Sequence, residues 1–333
     1  MNTENIILSN NCHFHLGDTP DAWQAWYDDS DWQEITLPHD WSVTLPFDRS
    51  CSSGTGYLPG GIGWYRIHIK PQEEWQGKQI SICFDGVYKN SRVWCNSYYL
   101  GERPNGYISF CYDITDQFRF DADNIISVYV DHREIADSRW YTGSGITRKV
   151  SLRIEENVHP VANGIFFTTP HVNNELADCE VTTELINCMD GPCDAIVTNL
   201  LFAPDDTLIY EQNSHITLAA HDTGVTRTKG TISQPACWTP ESPSLYTLKT
   251  YLSYQASTET INALVDTQKV GIRSLRFDAD KGFFLNDVPY LFKGVCLHED
   301  AGCFGNAVPA AVWHRRLAKL KSMGCNAIRM SHN

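Results

Sequence analysis

The sequence predicts a mainly-β chain: two successive β-sandwiches, then the first β-α-β of a (β/α)8 barrel. Three observations carry the prediction. Short runs of alternating apolar and polar residues, separated by clusters of Gly, Pro, Asn and Asp, recur through residues 1–155 without a helical period of useful length, and further strand-like runs follow to residue 272. At 333 residues the chain is too long for one ordinary core, so two or three domains are expected. From Tyr290 the pattern changes to an apolar run, a helix and a second apolar run.

Residues 1–155 are expected to form the first domain, with strands at 63–70, 79–84, 91–95, 125–130 and 149–154. Many short strands with this punctuation fit a sandwich or jelly roll. Residues 156–272 read as a second all-β unit, with strands at 179–185, 195–202, 247–252 and 267–272. Pro240 and Pro243 cannot donate to a ladder, so their stretch is an edge or the entry to a strand. Residues 273–333 bridge into the barrel and begin it. Trp313, Leu317, Leu320 and Met323 share one helix face, Pro309 suits the first turn and Gly324 the stop. The two apolar runs lead into His298-Glu299-Asp300 and Arg329-Met330-Ser331-His332-Asn333. The C-terminal ends of parallel strands are where such barrels place their chemistry.

A formal net charge of −14 argues against nucleic acid and against an anionic membrane surface as partners. No stretch approaches the ~20 apolar residues of a membrane span. The N-terminus, M-N-T-E-N-I-I-L, has no basic region followed by an apolar core, so no signal peptide is read there. The twelve cysteines include no C-x-x-C and no tight Cys/His cluster, so no zinc motif is read. Cys83 and Cys95 lie in apolar strand runs and are read as reduced, buried thiols, which makes the cytoplasm the expected compartment. A disulfide among Cys179, Cys188 and Cys193 stays open.

Several phrases carry a resemblance to a known family. K-G-V-C-L-H-E-D at 293–300, followed by N-A-I-R-M-S-H-N at 326–333, resembles the start of the catalytic barrel in glycoside hydrolase family 2. L-P-H-D-W (37–41), G-W-Y-R (63–66), F-D-G-V-Y-K-N-S-R-V-W-C-N (84–96), G-Y-I-S-F-C-Y-D-I-T (106–115) and S-R-W-Y-T-G-S-G-I-T-R (138–148) resemble its sugar-binding jelly roll. W-T-P-E-S-P-S-L-Y (238–246) is similar to the signature of its immunoglobulin-like domain. The family usually has Asn-Gly where this chain has Asn96-Ser97, and a slightly different turn is expected there.

The resemblance implies a retaining β-glycosidase, most like a β-galactosidase, with a β-galactoside as its carbohydrate partner. β-Glucuronidase specificity is the alternative, since H-E-D-A at 298–301 is nearer those enzymes. Retaining hydrolysis needs two carboxyl groups about 5–5.5 Å apart. Glu299 and Asp300 are adjacent and point to opposite faces of an extended chain, so they do not form that pair. The family's acid/base and nucleophile are glutamates on later barrel strands, and these 333 residues include neither position. No catalytic residue is therefore assigned. The fragment is expected to be inactive alone. A non-catalytic carbohydrate-binding or adhesion module is the rival reading.

Sugar-binding candidates are His298, Arg329, His332 and Asn333 at the strand ends, and Asp137, Arg139 and Trp140 on a jelly-roll loop. A neutral imidazole can donate to one hydroxyl and accept from another. A guanidinium at Arg329 would keep a neighbouring carboxylate ionised. From spacing alone, strand ends held by ordinary hydrogen bonds are the favoured reading of the two histidines, and Trp140 suits a packed loop. The family often has no aspartate at the position of Asp137. The glycine-rich loop 51–61 suggests a second loop at the site. No metal or cofactor is assigned to this chain. Mg or Na in the full enzyme stays open, as does a homo-oligomer.

Overall fold

The computed structural model describes residues 4–134, 138–256 and 260–332. Two compact units emerge: residues 4–154 with the chain from Lys293 onward, and residues 155–292. The first unit contains a ten-stranded jelly roll. Its strands are β1 (Glu4–Ile7), β2 (Cys12–Leu16), β3 (Gln33–Ile35), β4 (Gly61–Ile69), β5 (Gln79–Phe84), β6 (Ser91–Cys95), β7 (Tyr98–Arg103), β8 (Phe110–Asp113), β9 (Asn124–His132) and β10 (Val150–Glu155). They form one sheet in the order β1-β10-β5-β8 and a second in the order β3-β2-β4-β9-β6-β7. Alternation decides which side chains face inward. Tyr65, Ile67 and Ile69 of β4 join Ile80, Ile82 and Phe84 of β5 in one buried core with Trp41, Trp75 and Leu152.

The outer face of the six-stranded sheet is covered by the stretch between β2 and β3. Trp64, on that face, packs with Ala22 and Trp32. Arg66, also there, is 1% exposed and acts as a clamp. It donates to the carbonyls of Ala22, Gln24 and Tyr27 at 2.7, 2.9 and 3.1 Å, and its Nε donates to Asp29 Oδ2 at 3.0 Å. A buried guanidinium needs such a full set of acceptors to offset its lost hydration.

Two sequence expectations are corrected here. Cys83 is not a reduced thiol. The β5–β8 register sets it opposite Cys111, with Cα atoms 4.1 Å apart, and the two form a disulfide. The cysteine argument for a reducing compartment therefore does not hold for this pair. Cys95, Cys179, Cys188 and Cys193 stand outside any disulfide. The Asn96-Ser97 turn is also not altered by losing its glycine. Asn96 and Ser97 have φ of 49° and 76°, as an Asn-Gly type I′ turn would. Ser97 Oγ accepts from the Ala25 amide at 2.7 Å, while the Asn96 side chain reaches Asn124 Oδ1 and the Ile125 amide. These bonds hold the left-handed serine in place.

The second unit opens with a seven-stranded, immunoglobulin-like sandwich: β11 (Val158–Val172), β12 (Leu176–Asn187), β13 (Cys193–Phe202), β14 (Leu208–Leu218), β15 (Thr223–Ser233), β16 (Tyr246–Gln255) and β17 (Thr260–Val270). Sheets β11-β12-β15 and β14-β13-β16-β17 enclose Val181, Val197, Leu201, Leu248 and Leu252. Pro240 and Pro243 lie just before β16, at its entry. A small meander follows: β18 (Leu275–Asp278), β19 (Gly282–Leu285) and β20 (Val288–Pro289).

Back in the first unit, the barrel start consists of β21 (Gly294–Leu297), α1 (Ala310–Ser322) and β22 (Ala327–Met330), with β21 and β22 parallel. Pro309 caps α1 in an extended conformation. The helix ends at Gly324, φ +90°. The Gly324 and Cys325 amides donate back to the carbonyls of Lys321 and Leu320, both at 3.0 Å, which is a Schellman stop. No residue of α1 is buried.

Candidate functional site

The pairing of β21 with β22 sorts the strand-end residues by face. Val295, Leu297, Ile328 and Met330 share one face, and Cys296 and Arg329 the other. Leu297, Ile328 and Met330 line a cavity of about 570 Å³ together with Trp313 and Leu317 of α1, so theirs is the helix side. In a (β/α)8 barrel the helices lie outside. Arg329 therefore stands on the face that a closed barrel turns inward. It is exposed, with Nη1 3.8 Å from Cys296 Sγ.

Beyond the strands, His298 and His332 come together, with ring centroids 5.2 Å apart. The jelly roll contributes a third ring. Trp140 meets His332 edge-on at 4.8 Å, and its indole Nε1 donates to the Tyr107 hydroxyl at 3.0 Å. Arg139, beside it, is exposed. Gly54 of the glycine-rich loop lies against Ser138 and Arg139, where an added Cβ would sit 2.8 Å from the Ser138 carbonyl oxygen. Thus His298, His332 and Trp140 converge, and Arg329 stands on the adjoining strand. Asp137 and Asn333 lie outside the described residues. Glu299 forms an ion pair with Arg148 of the jelly roll, so its carboxylate is an anchor.

Sequence reasoning missed what holds this arrangement. Asp40, within L-P-H-D-W, is 3% exposed. Its Oδ1 accepts from the amides of Ser42 and Ser144 at 3.1 and 3.0 Å. Its Oδ2 accepts from the Tyr141 hydroxyl at 2.8 Å and from the Asn306 amide at 3.0 Å. One carboxylate thus ties the loop carrying Trp140 to the loop after β21. Burial pushes the Asp40 carboxyl above its ordinary value, and the four donors oppose that shift. Burial and the neighbouring Asp40 hold the Tyr141 hydroxyl protonated. Both loops approach through left-handed glycines, Gly143 (φ +69°) and Gly305 (φ +53°). A Cβ on Gly143 would fall 2.5 Å from Asp40 Oδ2, and one on Gly305 closer still. The sequence signal was a lone carboxylate between Leu37 and Trp41, both buried.

Comparison with known proteins decides the family. The sugar binding domain of glycosyl hydrolases family 2 matches residues 17–155, the family described simply as glycosyl hydrolases family 2 matches 163–273, and the TIM barrel domain of glycosyl hydrolases family 2 matches 278–333. The chain belongs to glycosyl hydrolases family 2. Among its family 2 relatives is beta-galactosidase BoGH2A of Bacteroides ovatus, 40% identical over 322 residues, which cover 96% of this chain and 37% of that protein. A beta-glucuronidase of Bacteroides fragilis is 27% identical over 341 residues, covering 99% of this chain and 46% of the relative. Among solved structures, a beta-glycosidase from Bacteroides vulgatus is 36% identical with a TM-score of 0.89, covering 99% of this chain and 42% of that one. The Bacteroides uniformis beta-glucuronidase gives 29% and 0.89, covering 99% and 39%. The chain thus spans less than half the length of each of these four proteins.

Proposed function

We propose that this chain is the N-terminal part of a retaining β-galactosidase. It supplies one wall of the sugar site, and the acid–base and nucleophile pair comes from elsewhere in the barrel. The observation that carries the reading is the meeting of His298 and His332 at parallel strand ends, against Trp140 of the sugar-binding domain. Two imidazoles can each bridge a pair of sugar hydroxyls, and an indole offers an apolar surface to the pyranose. Arg329, on the inward face, would orient and ionise a nucleophilic carboxylate. The beta-galactosidase from B. ovatus, at 40% identity, favours a galactoside. A second reading, a β-glucuronide, rests on exposed Arg139 and Arg329, which could meet a uronate carboxylate.

The test is made in the longer protein, with nitrophenyl β-galactoside and β-glucuronide assayed side by side. His298→Ala and His332→Ala are expected to lower kcat/KM by about tenfold or more, since a lost hydrogen bond in the transition state costs roughly 1–3 kcal/mol. Near-normal kinetics in both variants would leave the histidines as strand-end residues only. The 333-residue chain alone is expected to show no turnover above a no-protein control.

A further inference from the structure

On the far face of the jelly roll from its core, we infer a binding site for a transition-metal dication of the zinc class, built from His13, Asp29 and His68. Their ligand atoms all lie within 4.8 Å of one another. The residues are far apart in sequence, which is why no motif announces them. The fold assembles them from β2, from the stretch before β3 and from β4. His13 and His68 project from the outer face of the six-stranded sheet, where β2 and β4 pair. Asp29 arrives on the covering stretch that Arg66 clamps.

The two histidine-to-aspartate distances suit a metal. His13 Nδ1 and His68 Nε2 lie 3.3 and 2.8 Å from Asp29 Oδ2. Ligands at about 2.0–2.1 Å around a tetrahedral zinc are themselves roughly 3.3 Å apart. His13 Nδ1 is buried and makes no hydrogen bond, although it lies 3.3 Å from that oxygen. Buried nitrogens normally have a partner, and a metal would supply one. His68 Nε2 makes a hydrogen bond to Asp29, so a metal would replace that shared proton. Both histidine side chains remain 28% exposed, which leaves a way in and room for a water as fourth ligand. Arg66 Nε also reaches Asp29 Oδ2, and its charge opposes any cation there. The donor set therefore favours a metal that bonds well to imidazole over calcium or magnesium, whose sites are built from oxygen. Occupancy would join β2 and β4 to the covering stretch at a second point beside the Arg66 clamp.

The test uses chain stripped with chelator and titrated with ZnCl2 by calorimetry and by thermal unfolding. Exposed thiols such as Cys296 and Cys303 also capture zinc, so the decisive readout is the difference between variants. The expected result is one zinc-binding step whose affinity falls at least about tenfold in both His13→Ala and His68→Ala. His221→Ala, at an exposed histidine on the other unit, should leave it unchanged. Zinc should raise the melting temperature of the parent and of His221→Ala, but not of the two site variants. A zinc-edge anomalous peak between His13 and His68 in a soaked crystal would support the site without any substitution. Equal zinc binding in all four proteins, or a peak elsewhere, would overturn the proposal.

Discussion

The jelly roll and the barrel start share one compact unit yet are held together by different means. The jelly roll closes two sheets over its own core, where Tyr65, Ile67, Phe84 and Leu152 are fully buried. The barrel start buries nothing along α1, and Leu317, Met323 and Met330 are 45%, 73% and 76% exposed. Its attachment rests on polar anchors, the Asn306 amide on Asp40 and the Glu299 carboxylate on Arg148, beside the edge contact of Trp140 with His332. A sandwich can finish its core with neighbouring strands. An incomplete ring of strands and helices cannot, so it depends on specific anchors. Four outcomes would break or sharpen this contrast.

The largest effect is expected from Asp40→Ala. It strips the acceptor from three buried amides and a hydroxyl, and should cost on the order of 3–5 kcal/mol. Hydrogen exchange should rise across residues 294–332 more than across β4 and β9. Equal loosening everywhere would mean that Asp40 supports the jelly roll itself and is not a docking anchor.

Leu152→Ala should cost about 2–5 kcal/mol in denaturant unfolding, because it opens a cavity in a packed core. A cost under about 1 kcal/mol would show that the sandwich core is less closed than its burial indicates.

A smaller, pH-dependent effect comes from His39, next to the anchor. Burial lowers its pKa to about 4. The unfolded chain then takes up a proton in a window, from about 6.5 down to about 4, where the folded chain does not. Stability is therefore lost as pH falls through that window, by about 2 kcal/mol between pH 7 and pH 5. His39→Gln should flatten this slope, and an unchanged slope would assign it to other groups.

The smallest effect is expected from Leu317→Ala, within about 0.5 kcal/mol in this chain, because the side chain is already half exposed. A cost like that of Leu152→Ala would show that α1 is packed after all.

What the sequence revealed follows from which features are local. Alternation and turn residues are local, so 79–84 and 91–95 matched β5 and β6 at both ends. The helix stop at Gly324 was equally readable. Of the candidate site, His298, His332 and Trp140 were named because motifs carried them, and the structure adds that their rings meet. What remained hidden depends on partners distant in the chain. The bridge from Cys83 to Cys111 is set by the β5–β8 register, and nothing within either strand encodes it. The Arg66 clamp involves carbonyls, which have no sequence signature. Asp40 looked like one carboxylate in an apolar phrase, because its four donors lie on segments that come together only in the folded chain.

The Asp40 anchor also has a consequence for synthesis on the ribosome. Asn306 follows Asp40 by 266 residues. At about 5–20 residues per second, the carboxylate emerges tens of seconds before that amide exists. During that interval Ser42, Ser144 and Tyr141 can already engage it, since all three precede residue 150. The nascent jelly roll would thus present a three-quarters-filled socket to water, ready to receive the loop that carries Gly305 and Asn306. The order of translation makes the sandwich the template and the barrel start the guest.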